Sequence, residues 1–153
     1  MLEHSGLSLA LVGGAEEESI DSLMEHAMSS KVGICVAPRL NSSELCSLIR
    51  GAVAVVSMAH SEPFGLTPIE AQSLGTPALF VDEGGFRETI TDGVSGRLLP
   101  RNDYSAWHAA LEEAKDKHNR SSWSENGRIN ITKMGLDPEV FSTRLEKIFL
   151  DLD

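Results

Sequence analysis

The chain is poor in positive charge: 13 Lys and Arg stand against 23 Asp and Glu, a formal net charge of −10. That balance disfavours nucleic acid. Aromatic residues make up only 5% of the chain, and no Lys/Arg cluster with interleaved aromatics offers a local exception. The two cysteines, Cys35 in a predicted strand and Cys46 in a predicted helix, lie far from a Cys-x-x-Cys spacing. Buried, reduced thiols are expected in place of a disulfide or a metal site. Histidines and carboxylates show no metal-ligand spacing, so neither metal nor cofactor is expected. No apolar run approaches the ~20 residues of a membrane span. With no signal peptide expected ahead of Leu7, the cytoplasm is the expected compartment, and the Asn-x-Ser/Thr triplets at Asn41, Asn119 and Asn130 read as chance matches. Internal repeats are absent.

What is present fits one domain. A length of 153 residues, 41% of them hydrophobic, suits a single compact core over residues 1–153. The chain is organised around Ser61 to Pro77, SEPFGLTPIEAQSLGTP. Ahead of it, Ala52 to Val56 is a continuous apolar run, the mark of a strand buried on both faces of a parallel sheet. After it, Ile69 and Leu74 belong to a helix closed by Gly75 and stopped by Pro77. Between strand and helix, Gly65 gives the backbone freedom to bend, and the amides of Gly65, Leu66 and Thr67 are expected to form an anion site at the helix start.

Two carboxylates bracket that site, Glu62 and Glu70, with seven residues between them. Carboxylates repel phosphate and accept hydrogen bonds from hydroxyls, so the pattern suits sugar hydroxyls on either side of a diphosphate, as in a nucleoside diphosphate sugar. Glu70 has a second, structural reading: Thr67 as N-cap, Pro68 at the first helical position and Glu70 at the third make a capping box. Glu62 has no such local role, and its alternative reading is a solvated loop acid.

Elsewhere the chain alternates. Leu7 to Val12 reads as a buried strand ending at Gly13-Gly14, which lack the third glycine of a dinucleotide loop and precede three glutamates suited to a helix N-terminus. Ile20, Leu23, Met24 and Met28 mark an amphipathic helix ending near Ser30. Val32 to Ala37 is the second strand, and the loop Pro38-Arg39-Leu40 follows at its carboxyl end, the ligand edge of open α/β sheets. Asn41 or Ser42 caps the next helix. His60 is either a ligand-edge residue or a solvated one. Pro77 to Val81 is the fourth strand, and Gly84-Gly85 permit a tight turn before a helix near Phe86. Arg87 reads either as a phosphate partner or as surface. Gly96 to Leu99 is a fifth strand. Asp103 caps a helix bearing Tyr104, Trp107, Leu111 and Ala114, a weaker helix runs from Ser121 to Met134, and a final one carries Phe141, Leu145, Ile148 and Leu152. This alternation predicts a Rossmann-like, doubly wound parallel α/β sheet of about five strands with flanking helices.

EPFGLTPIEAQSLGTP, followed by GGFRE and DGVSGRLL, resembles the C-terminal half of group 1 glycosyltransferases. The likeness runs from about Leu7 to Leu111, with its core at Glu62 to Leu99. It implies the donor-binding domain of a GT-B fold that lacks its first β-α unit. In this family that unit supplies an Arg and a Lys that grip the pyrophosphate. In the strand order 3-2-1-4-5-6 its strand is central, so its neighbours would stay unpaired or close against each other. The N-terminal acceptor domain would come from elsewhere, as another domain or a partner chain.

The resemblance further implies retaining transfer of a sugar from a nucleoside diphosphate sugar, by dissociative departure of the diphosphate and without metal. Glu62 would hold the transferred sugar as the catalytic carboxylate and Glu70 the ribose diol. Phe64, Gly65, Leu66, Thr67, Gly84, Gly85 and the Arg39 loop would bind the rest of the donor, with backbone groups near Arg39 meeting the base. Glu88 would hold the glycine turn. Three other readings stay open: a non-catalytic or split-subunit binding module, half of a sugar-nucleotide epimerase, and a fragment inactive alone.

Overall fold

Apolar four-residue runs and capped amphipathic segments alternate along the chain, and each becomes the element its periodicity demands. The computed structural model describes residues 2, 5–13, 17–37, 39–136, 139–140 and 142–143. In order these form β1 (Leu9–Val12), α1 (Glu17–Ser29), β2 (Ile34–Ala37), α2 (Ser42–Gly51), β3 (Val55–Ser57) and α3 (Leu66–Ser73). Then come β4 (Ala78–Val81), α4 (Phe86–Thr89), β5 (Gly96–Leu99), α5 (Tyr104–Lys115) and α6 (Lys117–Met134). Asn41 and Glu44 cap α2 reciprocally, each side chain bonding the other's backbone N–H. Asp103 caps α5 through the Ala106 amide. α6 begins earlier than Ser121, because Asp116 caps it by accepting from the amides of His118 and Asn119. The expected final helix lies largely outside the described residues.

Every strand pairing is parallel, as expected, but the strands form two sheets in place of one: β1-β2 and β3-β4-β5. Among the described residues β1 and β3 do not pair with each other, so each has one edge with no described partner strand. In the order 3-2-1-4-5-6 their places are those on either side of strand 1. Burial follows from the split. β4, paired on both sides, has Ala78, Leu79 and Phe80 at 0% exposure. β3, with an equally apolar sequence, is only half-buried. β1 is not the buried strand that its sequence suggests either, since its residues alternate between half-buried and exposed. Cys35 on β2 is exposed for the same reason, and both cysteines are free thiols.

The core gathers around β4. Trp107 and Leu111 of α5, Trp123 of α6, Phe86 and Ile90 pack with Leu79, Phe80 and Leu99. Trp107 is fully buried, and its indole N–H donates to Pro100 O at 2.9 Å. Trp107→Phe removes that bond and opens a void in the core. A loss of about 2–4 kcal/mol is expected in urea unfolding. α3 is fixed by its buried Pro68, Ala71 and Gln72. The Gln72 amide donates to Thr89 O at 2.7 Å and accepts from Asn130 at 3.0 Å, which ties α3 to α4 and α6.

Candidate functional site

The carboxyl ends of β3, β4 and β5 place three loops side by side, and hydrogen bonds lock them together. The first holds Glu62 to Gly65. α3 starts one residue later, at Leu66, with Gly65 as its N-cap in the left-handed region (φ 89°, ψ 68°). Only glycine adopts that geometry at little cost, and there is no room for a side chain, since a Cβ would lie 2.9 Å from Phe86 Cδ1 and 3.2 Å from Thr89 Oγ1. The expected N-cap at Thr67 is therefore wrong. Thr67 is the second helical residue, Pro68 the third and Glu70 the fifth, so no capping box forms and the first turn holds no acid. The structural reading of Glu70 falls with it. Glu70 is exposed, and its carboxylate has no partner among the described residues.

Glu62 does have a local role. Its Oε1 accepts from the Gly65 amide at 3.2 Å, while its backbone carbonyl accepts from Gly85 N–H at 2.9 Å. Of the three amides expected to receive an anion, Gly65 is thus engaged. Leu66 and Thr67 keep free N–H groups at the positive end of α3. Glu62 Oε2 has no partner among the described residues. Beside these donors Leu66 is 64% exposed and Phe64 36%, an apolar rim that the core does not use.

The second loop is the glycine turn. Gly84 takes φ 52°, and a Cβ on it would lie 2.6 Å from Glu62 O; a Cβ on Gly85 would overlap the backbone of Phe64. These glycines are required because two main chains touch. The expected holding role of Glu88 does not appear: it is exposed, with no side-chain bond among the described residues. Arg87 is turned to its own strand end, bonding the Asp82 carboxylate at 2.6 Å and the Asp82 carbonyl at 2.7 Å.

Arg101, just after β5, does the holding instead. Its guanidinium grips Glu83 in a fork (2.9 and 2.6 Å) and donates to Met58 O at 2.5 Å and Ala59 O at 3.2 Å, joining all three loops. Sequence reasoning missed it; the available signal was a cation directly after a strand, behind Pro100. His60 lies 3.8 Å from Glu83 and is 74% exposed. The Arg101 fork holds the Glu83 carboxyl below its ordinary value of 4.5, with burial acting the other way. A carboxyl that titrates lower folded than unfolded stabilises fully above about pH 4.5, and that contribution is lost as pH falls through the folded value. Melting temperature is therefore expected to fall more steeply as pH drops below about 4.5 in the natural chain than in Arg101→Gln.

Arg39 is exposed in the loop after β2 and has no side-chain partner among the described residues. Near it, a cavity of about 520 Å³ opens at the carboxyl ends of β1 and β2, lined by Val12, Cys35, Ala37, Leu40, Glu44 and Leu48 among others. The structure thus brings Glu62, Phe64, Gly65, Leu66, Thr67, Gly84 and Gly85 into one locked cluster. Glu70 stands one turn into α3, and Arg39 belongs to the other sheet. Among the described residues no group of three His, Cys, Asp or Glu is placed to hold a metal, and no helix is long and apolar enough to cross a membrane.

Comparison with known proteins gives one answer. The sequence profile of "Glycosyl transferases group 1" matches residues 1–130. A D-inositol 3-phosphate glycosyltransferase of Frankia alni is 36% identical over 113 residues, covering 71% of this chain and 28% of that protein. The chain thus spans under a third of this relative's length. Among solved structures, sucrose-phosphate synthase from Thermosynechococcus elongatus superposes with a TM-score of 0.80 at 23% identity, over 95% of this chain and 38% of that one. Anabaena HepE in complex with UDP gives 0.79 at 18% identity, over 93% and 40%. The fold is therefore that of these proteins, and the chain belongs to the group 1 glycosyl transferases.

Proposed function

We propose that this chain is the donor-binding half of a glycosyltransferase that takes its sugar from a nucleoside diphosphate sugar and retains the anomeric configuration. The observation that carries this reading is the pair of unengaged amides at Leu66 and Thr67, set between the free oxygen of Glu62 and the unpartnered carboxylate of Glu70. Anions are stabilised at a helix N-terminus, and hydroxyls by carboxylates. The diphosphate would lie on the amides, the transferred sugar against Glu62 and the ribose diol against Glu70. The apolar cavity beside Leu40 would take the base, with the Arg39 loop over it. The UDP in the HepE structure supports a uridine nucleotide.

In this mechanism, charge builds on the departing diphosphate as the glycosidic bond breaks. The two amides are aimed at that charge before it forms, so no reorganisation is needed at the moment of reaction. Arg87 and Arg101 cannot share the task as they stand, because Asp82 and Glu83 already hold them. Further cations, with the acceptor site, would come with a segment that pairs with the open edges of β1 and β3, either in the same polypeptide or in a partner chain.

Thermal unfolding with UDP, GDP or ADP at millimolar concentration tests the reading. One nucleotide should raise the melting temperature, since a ligand at 100 times its Kd adds about 2.7 kcal/mol to stability. Glu70→Ala should remove most of that rise and leave the ligand-free melt unchanged. A folded chain that responds to none of the three nucleotides would overturn the proposal.

A further inference from the structure

At the amino ends of β3 and β4, away from the loops described above, lies a cleft of about 620 Å³ that holds three arginines, Arg50, Arg120 and Arg128. In a chain of net charge −10 this is a local reversal of sign. None of the three guanidiniums has an ion pair or hydrogen bond among the described residues. Glu125 also lines the cleft and pairs with none of them. Arg120, Ser124 and Arg128 are spaced four residues apart on α6, so they stack along one helix face. Arg50, from the last turn of α2, faces the same space.

The ordinary explanation is that arginines at helix C-termini satisfy the last carbonyls. Here several of those carbonyls already have other donors, and no arginine side chain bonds one among the described residues. Ile49 O accepts from Ala52 N–H at 3.1 Å and from Thr76 Oγ1 at 2.7 Å. Gln72 O accepts from Gly75 N–H at 3.0 Å, and Gly75 O from the Ser124 hydroxyl. The guanidinium of Arg128 lies directly against Gly75, where any side chain would displace it. Three cations share one cleft, and none of them bonds the backbone or a carboxylate among the described residues.

We infer that this cleft is a second anion site, for a small ligand carrying two or more phosphate charges. Guanidinium forks match phosphate oxygens two at a time, and the volume is that of a small-molecule site. No aromatic residue lines it, so nothing is offered for a base to stack on, and the chain's net charge of −10 repels a long polyanion. This inference does not rest on the donor-site reading.

The test is a titration of the isotope-labelled chain with pyrophosphate and, separately, orthophosphate, followed by magnetic resonance at matched ionic strength. The expected result is saturable shifts at the Arg50, Arg120 and Arg128 side-chain N–H groups, tighter for pyrophosphate. Arg120→Gln and Arg128→Gln should each weaken binding about tenfold, as loss of a charged hydrogen bond implies. Lys133→Gln, elsewhere on α6, should leave it unchanged. If a glutamine variant fails to melt cooperatively, Arg120→Lys or Arg128→Lys replaces it; charge kept without the fork should still weaken pyrophosphate binding. Shifts that sodium chloride reproduces, saturation that survives in the double variant, or shifts confined to the Leu66 and Thr67 amides would each overturn the inference.

Discussion

Glu62→Ala is expected to lower turnover of the assembled enzyme by about a hundredfold or more, with a smaller change in KM. The side chain has two tasks at two oxygens. Oε1 fixes the loop by accepting from the Gly65 amide, and Oε2 is free for a sugar hydroxyl. Each charged hydrogen bond contributes about 1.5–3 kcal/mol, and those to the sugar would strengthen as its ring gains positive charge. Glu62→Gln separates the tasks. It retains an acceptor for Gly65 and loses the charge, so its melting temperature should match the natural chain while turnover falls by about tenfold. Full activity in the alanine variant would remove Glu62 from the chemistry.

Gly85→Ala should be among the most damaging single methyl groups in the chain. Its φ of −65° suits alanine, and conformation alone would make the change stabilising by about 0.4–1 kcal/mol. Space decides otherwise. The new Cβ would sit 2.5 Å from Phe64 C and 2.6 Å from Phe64 N, main-chain atoms that have no rotamer to change. The two loops must part, and the Gly85 N–H to Glu62 O bond goes with them. Overpacking and the lost bond together suggest about 3 kcal/mol by urea unfolding, with loss of the nucleotide-induced thermal shift. Gly51→Ala, where a Cβ meets nothing within 4 Å, is the control and should be close to neutral.

The parts of the site legible in the sequence are those written locally. Glycine pairs, an apolar run before a loop and a proline after a helix carry their geometry with them, so the Gly84-Gly85 turn, α3 and the alternation of elements could be read directly. The start of α3 could not. Thr67, Pro68 and Glu70 spell a capping box, but Phe86 and Thr89, about twenty residues on, leave no room for anything but a glycine at the bend, and that contact moves the cap to Gly65. Arg101 escaped for the same reason, since its partners lie 18 and 43 residues away. The half-exposed β1 and β3 mark a third kind of limit: an apolar run shows that a strand is fit for burial on both faces, whereas burial depends on its neighbours.

The division of the sheet also divides the molecule's cooperativity. Among the described residues from β1 to β2, Ala27 is the only buried apolar side chain, whereas β4 with α5 and α6 holds nearly the whole core. A segment with so little buried surface opens at a lower free energy than the body beside it. Heating or denaturant therefore acts on two units of unequal strength. The weaker carries the floor of the cavity beside Leu40, and the stronger carries the amides of Leu66 and Thr67. On the proposed reading, a nucleotide spanning both would fasten two foldons together and make their melting one event.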